Sequence, residues 1–546
     1  MIFPDQIIVK NKPGYSCLVY FCYWRFGNMR SPNIETLKNI LTMYHLTMED
    51  DEIRAYQQLI KENMLGSYEV VDQMIDQDLP VNYKRSPGYR PSIQENPFNA
   101  WYWKTEVDHA KQGKLAGKKI ALKDNVSLAG VPMMNGSKVL EGFIPQIDAT
   151  IVTRILDEAG EILGKSVCES FCCDCSSFTS DTGPVLNPYN IAYSAGGSSS
   201  GSAVLVATGE VDMAIGCDQT GSIRMPSAWC GILGLKPTWG LVPYTGIFPV
   251  DITLDHVGPM ARKTEDLASL LEVIAGPDGL DPRQYFFQKK SYINRLTDTI
   301  EGMNIGIVAE GFNWSFSEED VDQMVLDAAN SFQKSGARVE HVSVAMHREG
   351  IHLSNIINTE GTAVQMFRGN ALGTSWKGYH QTQLLDSFAK GMAAHADDLS
   401  AAAKITILTG QYMQQAYHGR YYAKAQNLGR KLRMDYDRAF QRYDILIMPT
   451  VPYKATRLPQ KNARLEEQIK RSFGVDTNTG VFNVTGHPAL NVPCGYSNGL
   501  PVGMMLIGRY GEEDTLLTAA HAYEKMTNYK YTKSVNSKDM KKENNQ

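Results

Sequence analysis

The spacing of apolar positions changes character along the chain. From Glu49 to Gln77 it is helical: Ile53, Tyr56, Leu59 and Ile60 recur three and four residues apart among charges. Val70, Val71, Met74 and Ile75 repeat the pattern after Gly66-Ser67. Pro80 to Pro97, with several prolines and few apolar residues, reads as a linker. Short apolar runs then alternate with amphipathic ones. Lys119-Ile-Ala-Leu122 predicts a strand that ends at Lys123-Asp124-Asn125, Thr150 to Glu158 a helix, and Glu161-Ile-Leu163 the next strand. Residues 176–202, rich in Ser, Gly, Pro and Asn, predict loop, and Ala203 to Ala207 predicts helix. Ile305 to Val308 and Asp444 to Met448 read as buried strands, with a mostly helical pattern between them over about 317–440. Such alternation predicts an α/β fold with a helical N-terminal appendage.

The two ends differ from this body. Lys10 and Lys12 precede the apolar run Cys17 to Trp24, which superficially resembles a signal peptide. No small-residue cleavage site follows it, and Arg25 comes next. Residues 1–28 are therefore expected to be an extension outside the core, and the polar segment 527–546 a tail.

Composition narrows the class. The 546 residues carry 54 Lys+Arg against 59 Asp+Glu, a net charge of −5, with 43% hydrophobic and 21% charged positions. That balance excludes a disordered chain and a strongly basic nucleic-acid surface. No run reaches the roughly 18 apolar residues of a membrane span. The nine cysteines do not form a disulfide-like pattern and fit a reducing, cytoplasmic setting. Cys168, Cys172, Cys173 and Cys175 crowd together, but no second Cys pair or His pair accompanies them, so no metal site is expected.

Candidate chemistry concentrates in Gly196-Gly-Ser-Ser-Ser-Gly-Ser202 and Gly216-Cys-Asp-Gln-Thr-Gly-Ser-Ile-Arg224. A phosphate loop needs a Lys after its glycines, and none is present. A flexible Gly/Ser loop is the plain alternative. Gly197-Ser-Ser-Ser-Gly201 also satisfies a nucleophile elbow centred on Ser199, but Asn187 to Ser194 is a poor buried strand to precede it. A further reading joins both segments to Lys123 at the end of its strand.

Taken together, the run Gly196 to Pro226 resembles the signature of the amidase signature family. Lys123-Asp-Asn, Gly183 to Pro188, Cys230 to Pro237, Asp255 to Met260, Gly486 to Ala489 and Leu500 to Gly503 resemble further blocks of that family, in the same order. The similarity covers roughly 97–525. Gly216-Cys-Asp-Gln219 and Val242 to Gly246 look most like the broad-specificity amidases of nitrile-degrading bacteria. The resemblance implies a large mixed β-sheet flanked by helices, with the catalytic domain over 97–526, behind a helical region and linker at 29–96. Residues 317–440 would shape the substrate pocket.

It also implies a Ser–cis-Ser–Lys triad: Ser222 as nucleophile, Ser198 as proton bridge after a cis peptide, and Lys123 as base. Backbone N–H groups of Gln219, Thr220, Gly221 and Ser222 would hold the oxyanion, with Ser199, Asp218 and Arg224 in support. Thr220 and Ser200 stand where the family usually has glycine, and a side chain at Thr220 would either restrict the backbone or add a donor. A lysine serves as base only when neutral, and burial favours the neutral amine. Cys173 or Cys175 is expected to line the acyl pocket and confer thiol sensitivity; inert buried thiols are the alternative. Trp101, Tyr102 and Trp103 are expected to pack in the core or against the N-terminal region.

The expected activity is hydrolysis of primary carboxamides, aliphatic and aryl-substituted, by a cytoplasmic homodimer without cofactor or metal. The alternatives are a fatty-acid amide hydrolase and a glutamine-using amidotransferase subunit.

Overall fold

Eleven strands, several buried along their whole length, hydrogen-bond into one mixed sheet. The computed structural model describes residues 30–76, 79–284, 290–371 and 376–527, which excludes the expected extension at 1–28 and all but the first residue of the expected tail. The chain divides into two compact units, Met1–Asp78 and Leu79–Gln546.

In the first unit the helical spacing after Glu49 is realised as helices Asp50–Leu59 and Leu65–Asp72, joined through a wider turn at Ile60–Met64. An additional helix, Ile34–Met43, starts where the Asn33 side chain accepts the Thr36 N–H at 2.8 Å.

The second unit holds the sheet. Its strands are β1 Trp101–Lys104, β2 Lys119–Lys123, β3 Glu161–Ser166, β4 Met213–Asp218, β5 Leu233–Lys236 and β6 His256–Ala261. They continue as β7 Asn304–Val308, β8 Arg338–Val342, β9 Ile445–Pro449, β10 Ala489–Ser497 and β11 Leu500–Gly508. The order across the sheet is β1-β3-β2-β4-β6-β5-β10-β11-β9-β7-β8. β2 runs parallel to both β3 and β4, and Ile120, Ala121 and Leu122 are fully buried between them. Continuous apolar runs suit such strands, because helices cover both faces of a parallel sheet.

The stretch read as a linker lies along this unit. Arg85 bridges to Val107 and pairs with Asp148 at 2.6 Å, and Tyr89 bridges to Lys104. Trp101 and Tyr102 are buried in a core cluster with Val204 and Met260. Within 317–440 the structure is helical at His347–Gly361, Thr382–His395, Ala401–Tyr417 and Arg420–Ala439, with β8 among the helices.

Candidate active site

Three segments converge at the carboxyl ends of β2 and β4. β2 is exposed at Lys119 and buried from Ile120 onward, so its last residue, Lys123, sits fully inside. There Lys123 Nζ donates to Ser198 Oγ at 2.7 Å and approaches the Cys217 carbonyl at 3.4 Å. Ser198 follows a cis Gly197–Ser198 peptide and stands just before the helix Ser200–Thr208. A Cβ at Gly197 would collide with the Ser176 carbonyl, so only glycine fits there.

The loop after β4 carries the expected nucleophile. Ser199 N–H donates to the Ser222 carbonyl at 3.2 Å, which ties the two serine segments together. Ser199 Oγ donates to the Cys217 carbonyl at 3.1 Å and accepts the Cys217 N–H at 3.2 Å. Its hydroxyl is thus committed to holding the loop on β4, which removes the basis for a nucleophile elbow at Ser199.

Among the described residues the N–H groups of Gln219, Thr220, Gly221 and Ser222 find no backbone acceptor. Their peptide planes are fixed from outside. Thr479 Oγ1 donates to the Thr220 carbonyl at 2.6 Å, and Gln219 Nε2 donates to Tyr244 Oη and Asp255 Oδ1, each at 2.9 Å. Gly221 has φ +145°, and a Cβ there would run into Thr479 Oγ1. Thr220 keeps an ordinary negative φ, so its side chain does not strain the backbone. Its hydroxyl hydrogen-bonds the Asp476 carboxyl, away from the role of an added oxyanion donor. Ser200, the other departure, donates to Glu169 Oε1 at 3.1 Å.

Asp218 and Arg224 are fully buried and paired. The guanidinium donates to both carboxylate oxygens, at 2.9 and 3.0 Å, and also to the Thr479 carbonyl at 2.9 Å and Asn483 Oδ1 at 2.7 Å. Burial pushes the Asp218 carboxyl up, but Arg224 and the Asn483 amide outweigh it and hold the group well below the carboxylate range.

Lys123 departs from the expectation that burial alone frees its amine. Burial does push it down, but the thiols of Cys172, Cys217 and Cys168 push it up, and the net direction is upward. Burial itself drives the Cys217 and Cys168 thiols up, so both stay neutral near pH 7. The negative neighbour is Cys172, brought down to about 6 by the Cys168 hydrogen bond and by the Lys123 charge, against its own burial. Near pH 7 the pair therefore stands as ammonium and thiolate, and the amine is freed when its proton passes to the thiol.

The two cysteines expected at the pocket take different surroundings. Cys173 is half-buried beside the Phe171 cluster with Sγ near the Phe171 carbonyl, and Cys175 is buried among Met225, Trp229 and Val451. Cys172 packs against the same cluster of Phe171, Phe248 and Phe388 as Cys173 and in addition lies beside Lys123. The sequence marked the crowded cysteines but carried no sign of which one faces inward. Asn483 and Thr479, which also serve the site, lie far along the chain in no recognisable motif.

A hollow open to solvent adjoins this region at Tyr244. Tyr244, Ile247, Leu384 and Leu385 are among its walls, and Gln381 on its rim accepts from Ser127 Oγ at 3.0 Å. Among the described residues no cluster of His, Cys, Asp or Glu is arranged to hold a metal ion, and no helix is long and apolar enough to cross a membrane.

Comparison with known proteins adds a lineage. A family model described as Amidase matches residues 94–517. The enantioselective amidase of Rhodococcus rhodochrous is 44% identical over 438 residues, 80% of this chain and 84% of the relative. One subunit of the glutamyl-tRNA(Gln) amidotransferase of Methanosarcina acetivorans is 35% identical over 465 residues, 81% of this chain and 93% of its own. Among solved structures, the native peptide amidase of Stenotrophomonas maltophilia superposes with a TM-score of 0.64 at 28% identity, covering 77% of this chain and 84% of that one.

Proposed function

Because the chain belongs to the amidase family, we propose that it hydrolyses primary carboxamides to carboxylate and ammonia, with Ser222 as nucleophile. The observation that carries this reading is the buried 2.7 Å bond from Lys123 Nζ to Ser198 Oγ, on a loop tied to Ser222 through the Ser199 amide. A serine hydroxyl attacks a carbonyl only if its proton has a destination. In the proposed cycle that proton passes from Ser222 to Ser198 and on to the free amine of Lys123. The tetrahedral oxyanion forms against the N–H groups of residues 219–222, which need no reorganisation to receive it. Collapse breaks the C–N bond as Lys123 returns the proton through Ser198 to the leaving ammonia. Water then attacks the acyl-enzyme along the same relay. No step calls on a cofactor.

The apolar lining of the hollow supports acyl groups that are aliphatic or aryl-substituted, with residues 317–440 contributing Leu384 and Leu385 to the walls. A catalytic domain over 97–526 is part of the proposal. The free state of the seven described cysteines supports a cytoplasmic setting. Exposed Ile40, Met43, Leu59 and Val71 on the N-terminal helices support a homodimer, which light scattering on the purified chain tests.

The deciding experiment is ammonia release from propionamide, benzamide, a 2-arylpropionamide, glutamine and oleamide by wild type, Ser222→Ala and Ser199→Ala. We expect turnover of the simple amides, abolished in Ser222→Ala and retained, at a reduced rate, in Ser199→Ala. Turnover of glutamine alone moves the protein to the amidotransferase reading, and of oleamide alone to fatty-acid amide hydrolysis. Loss only in Ser199→Ala overturns the triad.

A further inference from the structure

We propose that Cys172 is a covalent modification site at the heart of the active site, open to small soft electrophiles and to peroxide, with Cys168 as the resolving thiol. No bond-making or bond-breaking step of the hydrolytic cycle involves either sulfur. The Cys172 thiol is half-buried and lies within hydrogen-bonding reach of Lys123, Ser198 and Cys168. Both sulfurs also approach one atom, Asn135 Oδ1, at 3.4 Å for Cys168 and 3.6 Å for Cys172.

The Asn135 amide supplies an independent sign. It is fully buried between the sulfurs, and its Nδ2 has no hydrogen-bond partner. The two ends of an amide are interchangeable in placement. Turned over, Asn135 satisfies its orphaned donor on the Cys172 sulfur and stabilises a thiolate there. The charged and titratable groups around that thiolate include Lys123, which favours it, and Tyr244 and Cys173, which burial keeps protonated; Asp124, near Cys168, is paired with Lys165 at 3.0 Å. Cys217 and Cys168 remain protonated. A thiolate beside an ammonium is the reactive form of cysteine.

The chemistry balances without a further reagent. The Cys172 thiolate attacks hydrogen peroxide: an S–O bond forms, the O–O bond breaks, and the departing hydroxide takes its proton from the Lys123 ammonium to leave as water. The sulfur loses two electrons and the peroxide gains them. Cys168 then attacks the sulfenic sulfur; the S–S bond forms, the S–O bond breaks, and a second water carries off the thiol proton. Either product removes the thiolate that pushes Lys123 up, so modification shifts the pH profile of hydrolysis, a consequence that rests on the proposed function. A thiol reductant reverses the disulfide.

The test treats the full chain with iodoacetamide, and separately with hydrogen peroxide, and maps the products by peptide mass spectrometry. Cys173 and Cys494 are half-buried as well and serve as internal controls. The expected result is labelling of Cys172 at least about ten-fold faster than either control, slowed by a similar factor in Lys123→Met. Peroxide is expected to give a Cys168–Cys172 disulfide that dithiothreitol removes. Equal labelling of the three cysteines, indifference to Lys123→Met, or a sulfenic acid that never resolves onto Cys168 overturns the proposal. The mass readout needs no turnover. A chain that labels at Cys172 yet hydrolyses no amide therefore refutes the proposed function and leaves this site standing.

Discussion

The hydroxyl of Thr479 donates to the backbone carbonyl of Thr220 at 2.6 Å, although the two residues lie far apart in sequence. The bond fixes the peptide plane whose other edge is the Gly221 N–H, one of the donors proposed to receive the oxyanion. Replacing Thr479 with Val keeps the shape and deletes the bond. Turnover in Thr479→Val is expected to fall by about 10-fold to 100-fold, less than the loss of a whole oxyanion donor. Steady-state kinetics on benzamide checks this, with KM expected to change little; an unchanged kcat refutes it.

The buried Asp218–Arg224 pair is expected to dominate local stability. Replacing Arg224 with Met strands a carboxylate in the core, and breaking a buried pair in this way costs about 3–5 kcal/mol. Urea denaturation of Arg224→Met should show a loss of this size. A loss within the scatter of surface substitutions would mean that Asp218 finds sufficient compensation in the Asn483 amide and the Ile223 N–H.

Thr220 is a departure from glycine whose effect falls on the fold. Its hydroxyl serves Asp476, and its backbone is unstrained. Thr220→Gly is expected to lower stability by about 1–3 kcal/mol through the lost hydrogen bond. Turnover should keep the order of magnitude of wild type. A substantial gain in turnover would show that the side chain had been restraining the oxyanion loop after all.

Stability is expected to fall as the pH rises toward 8. Burial, with Asp174 adding to it, raises the Glu169 carboxyl to about 8, and burial raises Asp255 to about 8. Between the ordinary carboxylate range and pH 8 the folded chain keeps these protons while the unfolded chain loses them. Each group then subtracts about 1.4 kcal/mol per pH unit across that window. Thermal midpoints from pH 5 to pH 8 measure the slope. Glu169→Gln, neutral at every pH, should flatten it, and an unchanged slope removes Glu169 from the account.

Much of this architecture was legible where local pattern and burial agree. The strand ending at Lys123, the helix from Thr150 and the strand from Ile305 all appear within a residue or two of their expected bounds. β4, β5 and β6 escaped notice because their runs are short, broken by Gly or Pro, and buried on both faces, so no two-residue alternation marks them. The meeting of Lys123 with Ser198, and of that loop with the Ser222 segment, was legible through the order of whole sequence blocks rather than through any one spacing. The inward turn of Cys172 was not legible. It depends on the backbone at Phe171 and Cys172, both with positive φ, which no local pattern announces.

The sheet order has a consequence for how the chain is made. β10 and β11, residues 489–508, stand between β5 and β9, although every other strand precedes them in sequence. Until that last hairpin leaves the ribosome, β5 and β9 each present a bare apolar edge, and the nascent sheet exists as two open halves. A growing chain of this protein is therefore most exposed to wrong pairing late in synthesis, and a message truncated before codon 489 should yield aggregate rather than a smaller enzyme.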